Sequence, residues 1–180
     1  MENLLEQRVT GELKKVIGSK LVEVELLCLD YERDEEDIQQ TAFTFAGEVI
    51  LQFSDKKIFI TWDENAGWKD HFSLHVGKDS AYLPDSIFVK WNVAKFDPWK
   101  KAVGKELTSA KVYGFAIKTG SHQMDAPHFV ELDFEGYCIF VGEGYAMYPN
   151  PPIFGDGDDM IVMTELSDKD RQERKLMWSS

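Results

Sequence analysis

Four histidines, two cysteines and a surplus of carboxylates are the groups in this 180-residue chain that could do chemistry. His71 and His75 lie four residues apart, a spacing that puts both side chains on one face of a helix or of a strand. His122, Asp125 and His128 make a second group of metal-competent atoms, around a segment ending in Ala126-Pro127 that reads as a loop. Brought together, the two groups would supply the donors of a metal-dependent hydrolase. No His-Glu-x-x-His pattern accompanies them, so the plainer reading puts His71 and His75 on a half-exposed strand and needs no cofactor.

Other chemistries find less support. The Asp-rich run Gly155-Asp156-Gly157-Asp158-Asp159 lacks the spaced third oxygen and terminal Glu of a calcium loop. Gly142-Glu143-Gly144 lacks the third glycine and following helix of a phosphate loop. No Gly-x-Ser-x-Gly elbow occurs, and neither Cys28 nor Cys138 has a neighbouring His to activate it. Both cysteines sit in apolar runs and read as reduced core thiols. Glu131 and Asp133 alternate with Val130, Leu132 and Phe134, which places both acids on the wet face of a strand.

The acids are more telling as a surface. Against 20 Lys and Arg stand 32 Asp and Glu, a formal net charge of -12, which excludes a general phosphate-backbone binder. Asp30, Glu32, Asp34, Glu35, Glu36 and Asp37 stand against Arg33 alone, a net of -5 within eight residues. Such a cluster raises the encounter rate with a basic protein and repels nucleic acid. Affinity would come from buried aromatic anchors, for which Trp62, Trp68 and Tyr148 are the candidates. Trp62 and Trp68 flank a polar turn, and Tyr148 opens a proline-rich loop.

These residues must be positioned by a scaffold, and the chain repeats itself. Leu13-Lys14-Lys15-Val16-Ile17-Gly18 matches Trp99-Lys100-Lys101-Ala102-Val103-Gly104 without a gap. Val49, Leu51, Phe53, Ile58 and Ile60 then match Val130, Leu132, Phe134, Ile139 and Val141. Two blocks in the same order imply a repeated unit of short helix, glycine stop and antiparallel hairpin. The expected class is α+β, mainly antiparallel sheet, as a single domain over 1–180. Its parts are repeat 1 over 1–77, a junction over 78–98, repeat 2 over 99–166 and a C-terminal helix within 167–180. Asp97-Pro98 reads as the N-cap and first-turn proline of the second helix.

The amino terminus carries acid where a signal peptide carries positive charge, and no run approaches the roughly 20 apolar residues of a membrane-spanning helix. The expected compartment is the cytoplasm. In composition and organisation, with the acidic stretch from Asp30 to Asp37 and no catalytic kit, the chain resembles the immunity proteins of bacterial toxin systems. That resemblance implies a tight inhibitory complex with a cognate toxin, often a basic nuclease. A structural homodimer joined through an open sheet edge is the other alternative to the metal-dependent hydrolase.

Overall fold

Alternating apolar residues on short strands can bury one face of a sheet only against a second layer, and here two antiparallel sheets supply it. The computed structural model describes residues 5–40, 42–62, 73–82, 87–119, 122–145, 153–154, 159–166 and 168–180. Twelve strands occur among them: β1 (Leu21–Leu29), β2 (Ala42–Phe45), β3 (Glu48–Phe53), β4 (Lys57–Trp62), β5 (Leu74–Gly77), β6 (Phe88–Asn92), β7 (Leu107–Thr119), β8 (His122–Phe134), β9 (Tyr137–Tyr145), β10 (Ile153–Phe154), β11 (Met160–Met163) and β12 (Lys175–Ser179). The first sheet runs β5-β4-β3-β1-β6 and the second β12-β7-β8-β9-β11-β2, with β10 beside β9. One core of buried side chains joins them, including Val24, Leu26, Leu51 and Ile60 from the first sheet and Val112, Val130, Leu132 and Met160 from the second.

The two sheets share a register. Leu21 faces Phe53, Val24 faces Leu51 and Leu26 faces Val49 in the first, with an irregularity after the opening pair. In the second, Leu107 faces Phe134, Ala110 faces Leu132 and Val112 faces Val130, with the irregularity at the same place. The hairpins agree as well: Val49 faces Ile60 and Leu51 faces Ile58, as Val130 faces Val141 and Leu132 faces Ile139. Where the halves meet, Gly18 N–H donates to Leu107 O and Gly104 N–H to Leu21 O, both at 2.8 Å. Leu21 N–H donates to Lys105 O at 2.9 Å and Leu107 N–H to Ser19 O at 3.0 Å, so each segment repeats the other's part. Gly18 and Gly104 hold φ of 83° and 87°, left-handed values at which a side chain would be strained.

Several expectations change. The first helix is a π-type turn over Glu6–Thr10 followed by a single α-turn over Gly11–Leu13. Val9 and Leu13 in it, and Val16 in the turn after it, are nevertheless fully buried. Asp97 does not cap the second helical segment; the Asp97-Pro98 peptide is cis, and the Asp97 carboxylate pairs with Lys101 at 2.9 Å instead. The C-terminal helix covers only Asp168–Glu173, after which the chain extends as β12. The physical reason is the edge of β7, whose backbone groups need partners: Leu176 faces Tyr113 and Trp178 faces Val112.

The stretch around His122, Asp125 and His128 is strand rather than loop, because β7 and β8 continue pairing outward to Lys118 facing Gln123 and Thr119 facing His122. Between Tyr113 and Gly114 that ladder slips by one residue and leaves His128 as the bulge. Pro127, which has no N–H to donate, is tolerated in this central strand at the bulge. Glycine flanks it on both neighbouring strands. A Cβ on Gly114 would stand 2.0 Å from Ala126 O, and one on Gly142 would stand 2.3 Å from His128 O.

Candidate partner-binding interface

The acidic stretch connects β1 of the first sheet to β2 of the second and therefore crosses the side of the molecule between them. Internal bonds fix its shape. It folds as two 3-10 turns, Asp30–Glu32 and Asp37–Gln39. The Glu32 carboxylate turns inward, accepting the N–H of Leu29 at 2.7 Å and of Ala46 at 2.9 Å. Asp34 Oδ1 accepts the N–H of Glu36 at 2.8 Å and of Asp37 at 3.2 Å. Ile38, at 1% exposure, anchors the crossing in the core.

These bonds shape the loop without discharging it. A neutral backbone N–H stabilises a carboxylate and leaves its charge in place. Among the described residues, the cations paired with the loop are Arg33, 2.8 Å from Asp30, and Lys95, 3.8 Å from Glu35. Both pairs are solvent-exposed, with the side chains of Asp30 and Glu35 at 72% and 65%, and exposed pairs of this kind hold weakly.

Tyr31 is the residue that sequence reasoning missed. It is 83% exposed in the middle of the acids, and Ile87 is 77% exposed. Leu29, the last residue of β1, faces Phe88, the first of β6, so Asp30-Tyr31 and Ile87 leave the same end of that strand pair. The only signal in the sequence was an aromatic residue inside a charge run, with no apolar pattern to bury it.

The anchors expected from sequence fare differently. Trp62 ends β4 half-buried, with its indole against the core. Trp68 and Tyr148 lie outside the described residues, as do His71 and the acids Asp156 and Asp158. His122 and Asp125 are placed by their backbone on β8. His75 stands on the outer face of the first sheet, since Leu74 and Val76 on either side point into the core. His128 is 3% exposed, with Nδ1 2.5 Å from Oε1 of the fully buried Glu143 and its ring edge-on to Phe115. Arg174 stacks its guanidinium 3.7 Å from the Phe115 ring centroid. Among the described residues no three His, Cys, Asp or Glu side chains gather as metal ligands.

Two further carboxylates are buried. Glu131 lies on the outer face as expected but is 5% exposed, because the helix Asp168–Glu173 covers it. It takes Lys111 at 3.0 Å, the Tyr113 hydroxyl at 3.1 Å and Arg171 at 3.4 Å. This cluster fastens the helix to the sheet, with the Arg171 guanidinium also over the Phe140 ring. Cys138 beside it has its thiol raised by burial and then by Asp133 and Glu131. Cys28 is pushed up to about 12, chiefly by burial, so both free thiols are poor nucleophiles.

Glu48, at 0% exposure, accepts the Ser80 hydroxyl at 2.7 Å and the Ala81 N–H at 3.1 Å. Burial raises its carboxyl above the ordinary 4.5, outweighing those two bonds. The folded chain keeps a proton there that the unfolded chain releases. This group's contribution to stability is therefore full below pH 4.5 and is lost as pH rises through the folded value. Glu48→Gln should flatten stability between pH 4.5 and neutrality relative to the unaltered chain, read as urea midpoints across that range. Parallel pH curves would contradict it.

Comparison with protein-family models, with curated proteins and with solved structures finds no match. No helix among the described residues is long and apolar enough to cross a membrane.

Proposed function

We propose that this chain is a non-enzymatic acidic binding protein that neutralises a basic partner protein, in its most concrete form a bacterial toxin immunity protein acting in the cytoplasm. Its scaffold is proposed to be a duplication of one helix, strand and hairpin unit, supported by the shared registers and the reciprocal bonds at Gly18 and Gly104. The observation that carries the functional reading is the loop from Asp30 to Asp37, held in one shape by bonds from backbone N–H groups, its own and that of Ala46, to the Asp34 and Glu32 carboxylates, while Tyr31 stands 83% exposed among the charges. Acids supply long-range attraction, and an aromatic on a loop of fixed backbone supplies contact area.

Glu35 and Glu36 carry none of the bonds that fix the loop through their carboxylates, other than the exposed pair of Glu35 with Lys95. Reversing both to Lys should leave the fold intact, slow association with a small basic nuclease by about tenfold, and flatten the dependence of that rate on ionic strength. Stopped-flow mixing at several salt concentrations measures this. An association rate indifferent to the reversal would remove the steering role.

A further inference from the structure

The outer face of the second sheet carries a hydrophobic cluster of its own. Val112, Val130 and Val141 point into the core between the sheets, so their neighbours Tyr113, Phe129 and Phe140 point the other way and pack together there with Ile161 and Met163. One connection crosses them. The chain leaves β11 after Met163 and enters β12 at Lys175, with β9, β8 and β7 lying between those two strands in the sheet. Near the start of that crossing Leu166 packs on the cluster, at its middle Arg171 pairs with Glu131 at 3.4 Å and lies over the Phe140 ring, and at its end Arg174 lies over the Phe115 ring. The helix within it, Asp168–Glu173, has no apolar residue. Among the described residues of 164–174, none joins the core between the sheets.

We infer that residues 164–174 are a strap that swings off this face as one unit while the two-sheet core stays folded, so that the chain holds a second apolar surface closed by its own sequence. What keeps the strap down is one leucine and two arginines, and the Arg171 side of its ion pair is 44% exposed, so each hold is weak. What keeps the core together is untouched by its leaving. A segment with so few buried contacts opens at a lower free energy than the domain unfolds. The rings of Tyr113, Phe129 and Phe140 lose their cover in the open form, which keeps that form a minority. The gate does not depend on the acidic-interface reading.

The two free cysteines report on the strap in the unaltered chain. Cys138 packs against the outer cluster with its Sγ 3.9 Å from Glu131 Oε1, whereas Cys28 is fully buried in the core. Labelled with a bulky aromatic disulfide in urea below the unfolding transition, Cys138 should react about tenfold faster than Cys28 or more, with a much shallower urea dependence because little surface is exposed. Arg171→Ala should speed Cys138 labelling by about fivefold. Burial, then Asp133 and Glu131, raise the Cys138 thiol while Lys111 and Arg171 pull it back, so losing the Arg171 charge without any opening would slow the reaction instead. Ile60→Val, in the buried core of the first sheet, should speed Cys28 labelling by about fivefold and leave Cys138 as it was. One urea dependence shared by both thiols, or acceleration of both by Ile60→Val, would overturn the strap. So would a Cys138 rate unchanged or slowed by Arg171→Ala.

Discussion

Glu143→Ala should lower the free energy of unfolding by about 3–5 kcal/mol, the usual cost of removing one member of a buried pair. Glu143 is fully buried and its Oε1 lies 2.5 Å from Nδ1 of His128, which is itself 3% exposed. Deleting the carboxylate strands an imidazole in a place water does not reach, and leaves a void facing Met160. Against the 5–15 kcal/mol typical of a whole domain, this is a large share. Urea unfolding of Glu143→Ala, His128→Ala and the double variant measures it. The double variant should cost less than the sum of the singles, because the two side chains are in direct contact. Additive losses would mean that the two groups are held independently.

Tyr31→Ala should leave stability unchanged and speed dissociation of the basic partner by about thirtyfold, corresponding to about 2 kcal/mol for a central aromatic anchor. Tyr31, at 83% exposure, contributes almost nothing to the fold, so whatever it does is done to something outside. The effect should fall on dissociation, in contrast to the Glu35 and Glu36 reversal, which acts on encounter. Tyr31→Phe separates ring from hydroxyl and should keep most of the affinity. Surface plasmon resonance reads both rates. An unchanged dissociation rate for Tyr31→Ala would remove the anchor.

How far the sequence reached can be seen at particular residues. The matches between Val49 and Val130, Leu51 and Leu132, or Ile60 and Val141 were legible because a buried face allows few substitutions, and these pairs occupy matching ladder positions. Gly18 and Gly104 were legible for the same kind of reason, since a left-handed stop admits little else. The strand at Lys175–Ser179 was not, because its partner β7 lies far away in the chain and its charged neighbours mimic a helix. The burial of Glu131 depended on where the helix Asp168–Glu173 came to rest. His122 and Asp125 read as loop residues because Pro127 in a central strand argues against a strand unless the bulge is known. Glycines at 114 and 142 were the available signal, each marking a close backbone approach beside that bulge.

For the interface, position in the chain showed the acids but not which of them face solvent. Glu32 and Asp34 build the loop, whereas Asp30 and Glu35 present it. That division depends on where Ala46 and the turn over Asp37–Gln39 lie, and alternation alone does not state it.

Docking of a basic protein on the loop between β1 and β2 is read out by titrating the isotopically labelled chain with a small basic nuclease and following every backbone amide by NMR. Shifts should concentrate in residues 30–38 and weaken as salt is added. Shifts centred instead on the helix Asp168–Glu173, or spread evenly over all exposed acids, would contradict it.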